Sequence, residues 1–531
     1  MCEPETLPDL RERVRRNRGD TEAWHTLGVM LAVRGEFRRS FVCHRVAAAN
    51  RPENAKYLYH SGSAALTLGQ TGDAAWYLEK ALSVDPGYSE AWQARGQLYA
   101  DHFRQPDEAL HSFVRAIQLA PGDPVNYRCA ARCVLNGNGH RTALACLRDA
   151  MPPGVDSLHA DRGLAVALVD AGHYEDAVPI LCGILRQRPG DGMSMRVLAD
   201  VCAGQRDWRG AQSWYARAMA AEGDNSTAAR YVLHLSRMGD FDHARQVYRS
   251  HGLGEPCRDP VGPAVRRWQG QDIRGKTLRL IGGDQYFGDP LQFVRFAREA
   301  KEAGAHVVLQ APKRLRSLLR TVAGVDLVVA SYDPSPPLDY EVVLFWLLWE
   351  LSVPVAEMIG REPYLHAPAD LRAQWQKRIA STAGSNVGIV WRGSPHLIHD
   401  RFRNRSMRLE DLRPLAAIPG VTLYSLQSGE GRTELLDANP PFPAIDLAPD
   451  FPNTAAAIEA LDLVVTVDTS IAHLAGGLGK RTFLMLPYHP DFRWMADRDD
   501  TPWYPAMRLF RQTRPGEWSD VVTAVVRALE Q

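Results

Sequence analysis

The chain has 531 residues and a mass of 59.1 kDa, several times the usual size of one domain, so about three domains are expected. Lys plus Arg and Asp plus Glu both number 62, and this zero balance excludes a surface built to hold nucleic acid or an anionic membrane. With 45% hydrophobic and 23% charged residues the composition is that of a folded globular chain rather than a disordered or fibrous one.

The longest apolar run, Val342 to Leu351, is broken at Glu350 and falls well short of the roughly 20 residues a membrane span requires. The first residues are polar and acidic, without the apolar core of a secretion signal, so a cytoplasmic location is the expectation. The eight cysteines (Cys2, Cys43, Cys129, Cys133, Cys146, Cys182, Cys202 and Cys257) include no CxxC pair and read as reduced core residues. Cys129 and Cys133 lie one helical turn apart but have no matching His or Cys pair, and no metal is expected.

Residues 20 to 250 are periodic. A small residue recurs at Ser40, Ala74, Ala109, Ala143, Ala177, Ala211 and Ala244, at spacings of 34, 35, 34, 34, 34 and 33. Around it recur Trp24, Leu27 and Gly28; Gly62, Ala65 and Ala81; and Trp92, Gly96, Tyr99, Phe113 and Ala116, with Pro52, Pro86, Pro121 and Pro189 closing units. The pattern resembles the tetratricopeptide repeat, in which two helices approach closely where small residues sit. Six or seven stacked units predict an α-solenoid over residues 1–252 whose groove takes extended polypeptide. By analogy His25, Gln93, Gln97, Arg128 and Arg132 line that groove.

Residues 253–274 read as a linker, rich in Gly and Pro near its start. Beyond it, β-branched runs at Thr277–Ile281, His306–Leu309, Asp326–Val329 and Glu341–Phe345 alternate with helical patterns. Further runs follow at Val387–Trp391, Val421–Leu426, Leu463–Val467 and Arg481–Leu486. Alternation of this kind predicts parallel sheets covered on both faces, one over 275–382 and one over 383–531.

In open α/β sheets ligands bind at the carboxyl ends of strands, which selects three loops. The first is Gly282 to Pro290, where Pro290 at the first helical position makes Asp289 the expected N-cap, with Gln285 and Tyr286 beside it. The second runs from Trp391 to Arg408 and carries five arginines (Arg392, Arg401, Arg403, Arg405 and Arg408) against Asp400, a composition suited to phosphate. His396 and His399 in it make a poor metal signal. The third is Asp468-Thr469-Ser470, opening a helix of small residues whose first amides form an anion site. Gln427 stands at a neighbouring strand end. Gly270 to Thr277 satisfies GxxxxGK[ST], but a strand follows it where an ATP-binding loop opens a helix; the Gly282, Gly283, Gly288 spacing is not GxGxxG.

Residues 268 to 531 resemble the glycosyltransferase family 9 group, which includes the ADP-heptose:lipopolysaccharide heptosyltransferases, in a form fused behind a repeat array. The resemblance is carried by Trp268-Gln269-Gly270, Phe287-Gly288-Asp289 with Leu291-Gln292-Phe293, Gly388 to Gly393, Tyr424 to Gln427, Asp468-Thr469-Ser470 with His473 to Gly476, and Pro502 to Pro505 with Met507 to Phe510. It implies a GT-B fold of two Rossmann-like halves, the C-terminal one holding a nucleotide-sugar donor. It also implies an inverting transfer without metal or other cofactor, with Asp289 as base. Asp468, Thr469, Ser470, His473, Arg392, Arg401, Arg405 and Gln427 then belong to the donor side, where Gln427 is expected to meet nucleoside or sugar, and Gln285 and Tyr286 belong to the acceptor side. Tyr286 and Pro290 stand where relatives usually carry glycine and threonine. Bacterial fusions of this layout point to a polypeptide acceptor, a surface protein or flagellin, recruited by the repeats. The alternatives are an interaction scaffold with an inactive transferase half, and a lipopolysaccharide heptosyltransferase.

Overall fold

The small residues that set the period are where helices meet. Ser40, Ala74, Ala109, Ala143, Ala177, Ala211 and Ala244 are all 0% exposed in the computed structural model. The structure describes all residues except 1–6, 34–36, 136–139, 255–264, 284–286, 331–335, 352, 362, 380–383, 395–404, 438 and 448–449. Each small residue lies on the second helix of a hairpin: Thr21–Val33 with Phe37–Asn50, Ala55–Thr67 with Thr71–Val84, Ser89–Leu98 with Pro106–Leu119, and Pro124–Leu135 with His140–Ala150. Leu158–Asp170 with Tyr174–Gln187, Gly192–Gly204 with Trp208–Glu222, and Asn225–Arg237 with Phe241–Ser250 complete the series. Glycines on the first helices serve the same end. A Cβ on Gly28 would lie 2.7 Å from the His44 ring, one on Gly62 2.8 Å from Leu78, and one on Gly96 2.7 Å from Phe113.

Two compact units divide between Thr227 and Ala228, so the seventh hairpin groups with the α/β half rather than with the solenoid expected to run to residue 252. The cause is a polar and aromatic seam. Tyr248 stacks on Trp346 and Trp349, with ring centroids 5.3 and 5.9 Å away, and its hydroxyl donates to the buried Glu350 carboxylate at 2.8 Å. Arg267 pairs with the same carboxylate at 2.7 Å, and Arg249 and Arg245 donate to the Glu350 and Val353 carbonyls, each at 2.7 Å. The expected linker is likewise partly built into the sheet: β1 (Arg266–Arg267) pairs with β5 (Tyr340–Val343), and Trp268 is buried.

The first sheet contains β1, β2 (Thr277–Ile281), β3 (His306–Gln310), β4 (Leu327–Val329) and β5, in the order β1-β5-β2-β3-β4. The second contains β6 (Ser385–Val390), β7 (Val421–Ser425), β8 (Ile445–Asp446), β9 (Leu463–Val467), β10 (Thr482–Leu486) and β11 (Met507–Arg511), in the order β11-β10-β9-β6-β7-β8. Every pairing is parallel. Counted from its own first strand, the second sheet reads 6-5-4-1-2-3, the Rossmann order, with its switch between β6 and β9. All five positions of β9 and of β10 are buried, as helices on both faces require. Besides β1, two strands went unpredicted: β8 has two residues, too few for a periodic signal, and β11 interleaves Arg508 and Arg511 with its apolar positions.

Candidate active site

Both sheets present their switch-point loops to one cleft of the second unit. After β2 the chain turns at Gly283 (φ 71°), and Gly282 lies so close to the next strand that a Cβ there would be 2.8 Å from the Gln310 carbonyl. Only glycine fits such positions without strain. The helix that follows is Gly288–Phe293, with Phe287 at its cap, so Asp289 is inside the first turn and is not the N-cap expected from Pro290. The reason is the carboxylate's other partner: Asp289 Oδ1 accepts from Arg493 Nη2, an ion pair made across the cleft. Gln285 and Tyr286 lie outside the described residues.

Opposite, the helix Ser470–Gly477 begins after β9 with Thr469 as N-cap. Thr469 Oγ1 accepts from the Ile471 amide at 3.3 Å, so one of the amides expected to be open to an anion is held, weakly, by the cap itself. Asp468 is buried, and its carbonyl accepts from Arg405 Nη1 at 2.9 Å. Arg405 also covers the loop after β6, where a Cβ on Gly393 would lie 2.9 Å from its Nε. One turn into the helix, His473 is buried, stacks on Trp494 at 5.3 Å and shares a 2.9 Å hydrogen bond between Nδ1 and the Tyr504 hydroxyl. Its Cδ2 is 3.2 Å from where a Gly288 Cβ would stand, which puts the two loop helices side by side. Burial, reinforced by the charge of Arg493, holds the imidazole well below its ordinary pKa and therefore neutral.

Arg493 ties the site together. It lies in the turn Phe492–Trp494 beyond β10, capped by Asp491. Nε donates to Gln292 Oε1 at 2.7 Å, Nη1 to Asp491 Oδ1 at 2.9 Å, and Nη2 to Asp289, over the rings of Phe492 (5.0 Å) and Phe293 (5.4 Å). Burial opposes its charge, but the carboxylates of Asp491, Asp289 and Asp468 outweigh burial and raise its pKa. Met495, two residues on, sits at φ 52° and ψ 173°, a conformation seldom adopted by L side chains and typical of functional turns.

The expected cationic loop is altered in two ways. Arg392 pairs with Glu434 at 3.2 Å, which offsets its charge, and Arg401, His396 and His399 lie outside the described residues. Gln427 does not face nucleoside or sugar as expected. It is 3% exposed, its Oε1 accepts from the Trp391 and Arg392 amides at 3.1 and 3.0 Å, and its Nε2 donates to the Arg392 and Ser428 carbonyls at 3.0 and 2.9 Å. All four bonds go to backbone, so its role is to shape the loop after β6. Arg493 and Asp491 were missed from the sequence, and Gln292 entered only as part of a segment carrying the family resemblance, with no role of its own. The usable signal was a charged residue between two aromatics, Asp491-Phe492-Arg493-Trp494, just beyond a fully buried strand.

In the repeats, His25 is 4% exposed, packed among His44, His60 and Tyr57 with ring centroids 4.7 to 5.3 Å apart, and does not line an open groove. The large neighbouring rings close over it. Gln93 is half-buried and donates to Asp123 and Asn126, each at 3.0 Å; Gln97 is half-buried; Arg128 is exposed; Arg132 pairs with Asp101 at 3.6 Å. No His, Cys, Asp or Glu group suited to a metal occurs among the described residues, and no described helix is long and apolar enough to cross a membrane.

The molecule thus joins a helical repeat array to a pair of Rossmann-like halves. The tetratricopeptide repeat family matches residues 59–124 and 162–226, and these segments are tetratricopeptide repeats. The chain is 24% identical over 534 residues to Protein FlbA of Caulobacter vibrioides (strain ATCC 19089 / CIP 103742 / CB 15), a match covering 96% of this chain and 84% of that protein. Among solved structures, a glycosyl transferase family 9 protein from Veillonella parvula DSM 2008 is similar at 11% identity and a TM-score of 0.37, over 49% of this chain and 98% of that one. Pseudomonas aeruginosa pilF is similar at 18% identity and a TM-score of 0.26, over 45% of this chain and 91% of that one.

Proposed function

We propose that the protein is an inverting glycosyltransferase that moves a sugar from a nucleotide-sugar donor to a hydroxyl of an acceptor polypeptide. The observation that carries this reading is the meeting of Asp289 with the helix Ser470–Gly477 through Arg493, at the carboxyl ends of β2, β9 and β10. Inversion by single displacement needs one carboxylate to take the acceptor's proton as the sugar gains oxocarbenium character, which is the role of Asp289. The leaving diphosphate gains negative charge, which the Thr469 and Ser470 amides, the helix dipole and nearby guanidinium groups stabilise. Family 9 likeness in the Asp468-Thr469-Ser470 and His473 segment supports the assignment of the donor side. The repeats supply recruitment: a tethered acceptor experiences a millimolar effective concentration, and a surface protein or flagellin is the acceptor proposed.

A second reading, an interaction scaffold with an inactive transferase half, is favoured by the ion pair that occupies Asp289. A thermal-shift screen of nucleoside diphosphates and nucleotide sugars, followed by transfer of labelled sugar to proteins captured on the repeats, separates the two. Stabilisation by a nucleotide sugar, with transfer abolished in Asp289→Asn, is expected. Stabilisation by none, with no transfer, would overturn the enzyme reading, and transfer at full rate in that variant would remove Asp289 from the mechanism.

A further inference from the structure

We propose that Arg493 is a donor-binding residue that exchanges partners, giving up Asp289 for a phosphate oxygen of the donor and so freeing the base as the donor arrives. The inference rests on the glycosyltransferase reading above and deepens it.

The two ends of the ion pair are fastened very differently. Arg493 keeps only 13% of its side chain exposed, while Asp289 keeps 38%. The guanidinium is fixed without Asp289: Nε by the fully buried Gln292, Nη1 by the buried Asp491, and its face by Phe492 and Phe293. Asp491 is itself committed, since its Oδ1 also accepts from the Arg493 amide at 3.1 Å and caps the turn. Asp289 has no such anchoring, standing in the first turn of a six-residue helix. If the pair opens, the carboxylate moves and the guanidinium stays, its Nη2 already placed for another anion. Such preorganised charge lowers the cost of binding.

The donor's diphosphate is the anion in reach. His473, one turn along the helix Ser470–Gly477, stacks at 5.3 Å on Trp494, the residue after Arg493, and its Cδ2 is 3.2 Å from the Cβ position of Gly288, the residue before Asp289. An anion seated on the Thr469 and Ser470 amides therefore lies beside Arg493, and guanidinium groups bind phosphate oxygens with charge-assisted bonds. No covalent step is involved: one ion pair is replaced by another, and Asp289 leaves as a carboxylate able to accept the acceptor's proton. Donor binding then precedes acceptor activation.

Titration of the full-length chain with inorganic pyrophosphate and with UDP tests the exchange, because a partner swap and a structural brace predict opposite signs. Asp289→Asn keeps the side-chain shape but removes the competing charge; pyrophosphate should bind about fivefold more tightly, or ~1 kcal/mol. Arg493→Gln should bind about tenfold more weakly, and the double variant should match Arg493→Gln, the gain from Asp289→Asn having vanished. Unchanged or weaker binding in Asp289→Asn would overturn the proposal, as would a fivefold gain that persists in the double variant. If Arg493→Gln fails to fold, Arg493→Lys and the sign in Asp289→Asn still decide. Wild-type binding that Ser470→Pro weakens while Asp289→Asn leaves it unchanged would refute the exchange and leave the donor site standing. Absence of binding to either probe in every variant would refute both.

Discussion

Gln427 separates two roles that look alike in an activity assay, holding a loop or touching a ligand. Replacing it with methionine preserves length and volume and removes all four hydrogen bonds to the Trp391, Arg392 and Ser428 backbone. The Trp391 amide is buried and would be left without its acceptor, at a cost of about 1–3 kcal/mol, while the groups on Arg392 and Ser428 are nearer solvent and lose about 0.5–1 kcal/mol each. A total of about 2.5–6 kcal/mol corresponds to at least about 5 °C in the unfolding temperature of a domain the size of the C-terminal half. Donor binding should weaken only secondarily, as Arg392 and Gly393 lose their setting. Calorimetric unfolding and nucleotide titration of the full-length Gln427→Met variant give both quantities. A large loss of nucleotide affinity with an unfolding temperature within about 2 °C of wild type would refute the reasoning and return Gln427 to the ligand.

Two further outcomes concern the repeats. Gly163→Ala places a Cβ 2.3 Å from the Tyr127 Cβ and 3.0 Å from its backbone carbon, so thermal unfolding should show destabilisation of about 1–3 kcal/mol or more; Gly72→Ala, in a helix with nothing within 4 Å, should stabilise by about 0.5–1 kcal/mol. Burial holds His44 down to about 3 and His60 to about 4, both below the ordinary 6.5 of the unfolded chain. Between those values the unfolded chain binds more protons than the folded one, so the array should lose stability as pH falls from 6.5 to about 4, by up to about 1.4 kcal/mol per pH unit per histidine. Denaturant midpoints across that range should slope less steeply in His44→Leu, and a flat wild-type profile would refute the buried, neutral assignment.

Much of the architecture was readable from residue order because the forces involved act over short, regular distances. A small residue every 34 or so positions specifies a helical hairpin whatever surrounds it, since each unit packs on its neighbours, and the 0% exposure from Ser40 to Ala244 follows from that period. Short buried apolar runs marked β2, β6, β9 and β10, and the strand-end rule then selected the loops that hold Asp289, Asp468 and Arg405.

The cleft's internal wiring obeys no period. Arg493 stands 204 residues from Asp289 and 201 from Gln292, so their pairing exists only because two separately formed sheets present their strand ends to each other. The same holds for Gln427, spent on backbone 35 and 36 residues away, and for Tyr248, whose stacking on Trp346 and Trp349 moves the seventh hairpin out of the solenoid. Periodicity tells which face of an element is buried; which charge meets which inside that burial depends on long-range geometry, and there the low dielectric makes each pairing consequential.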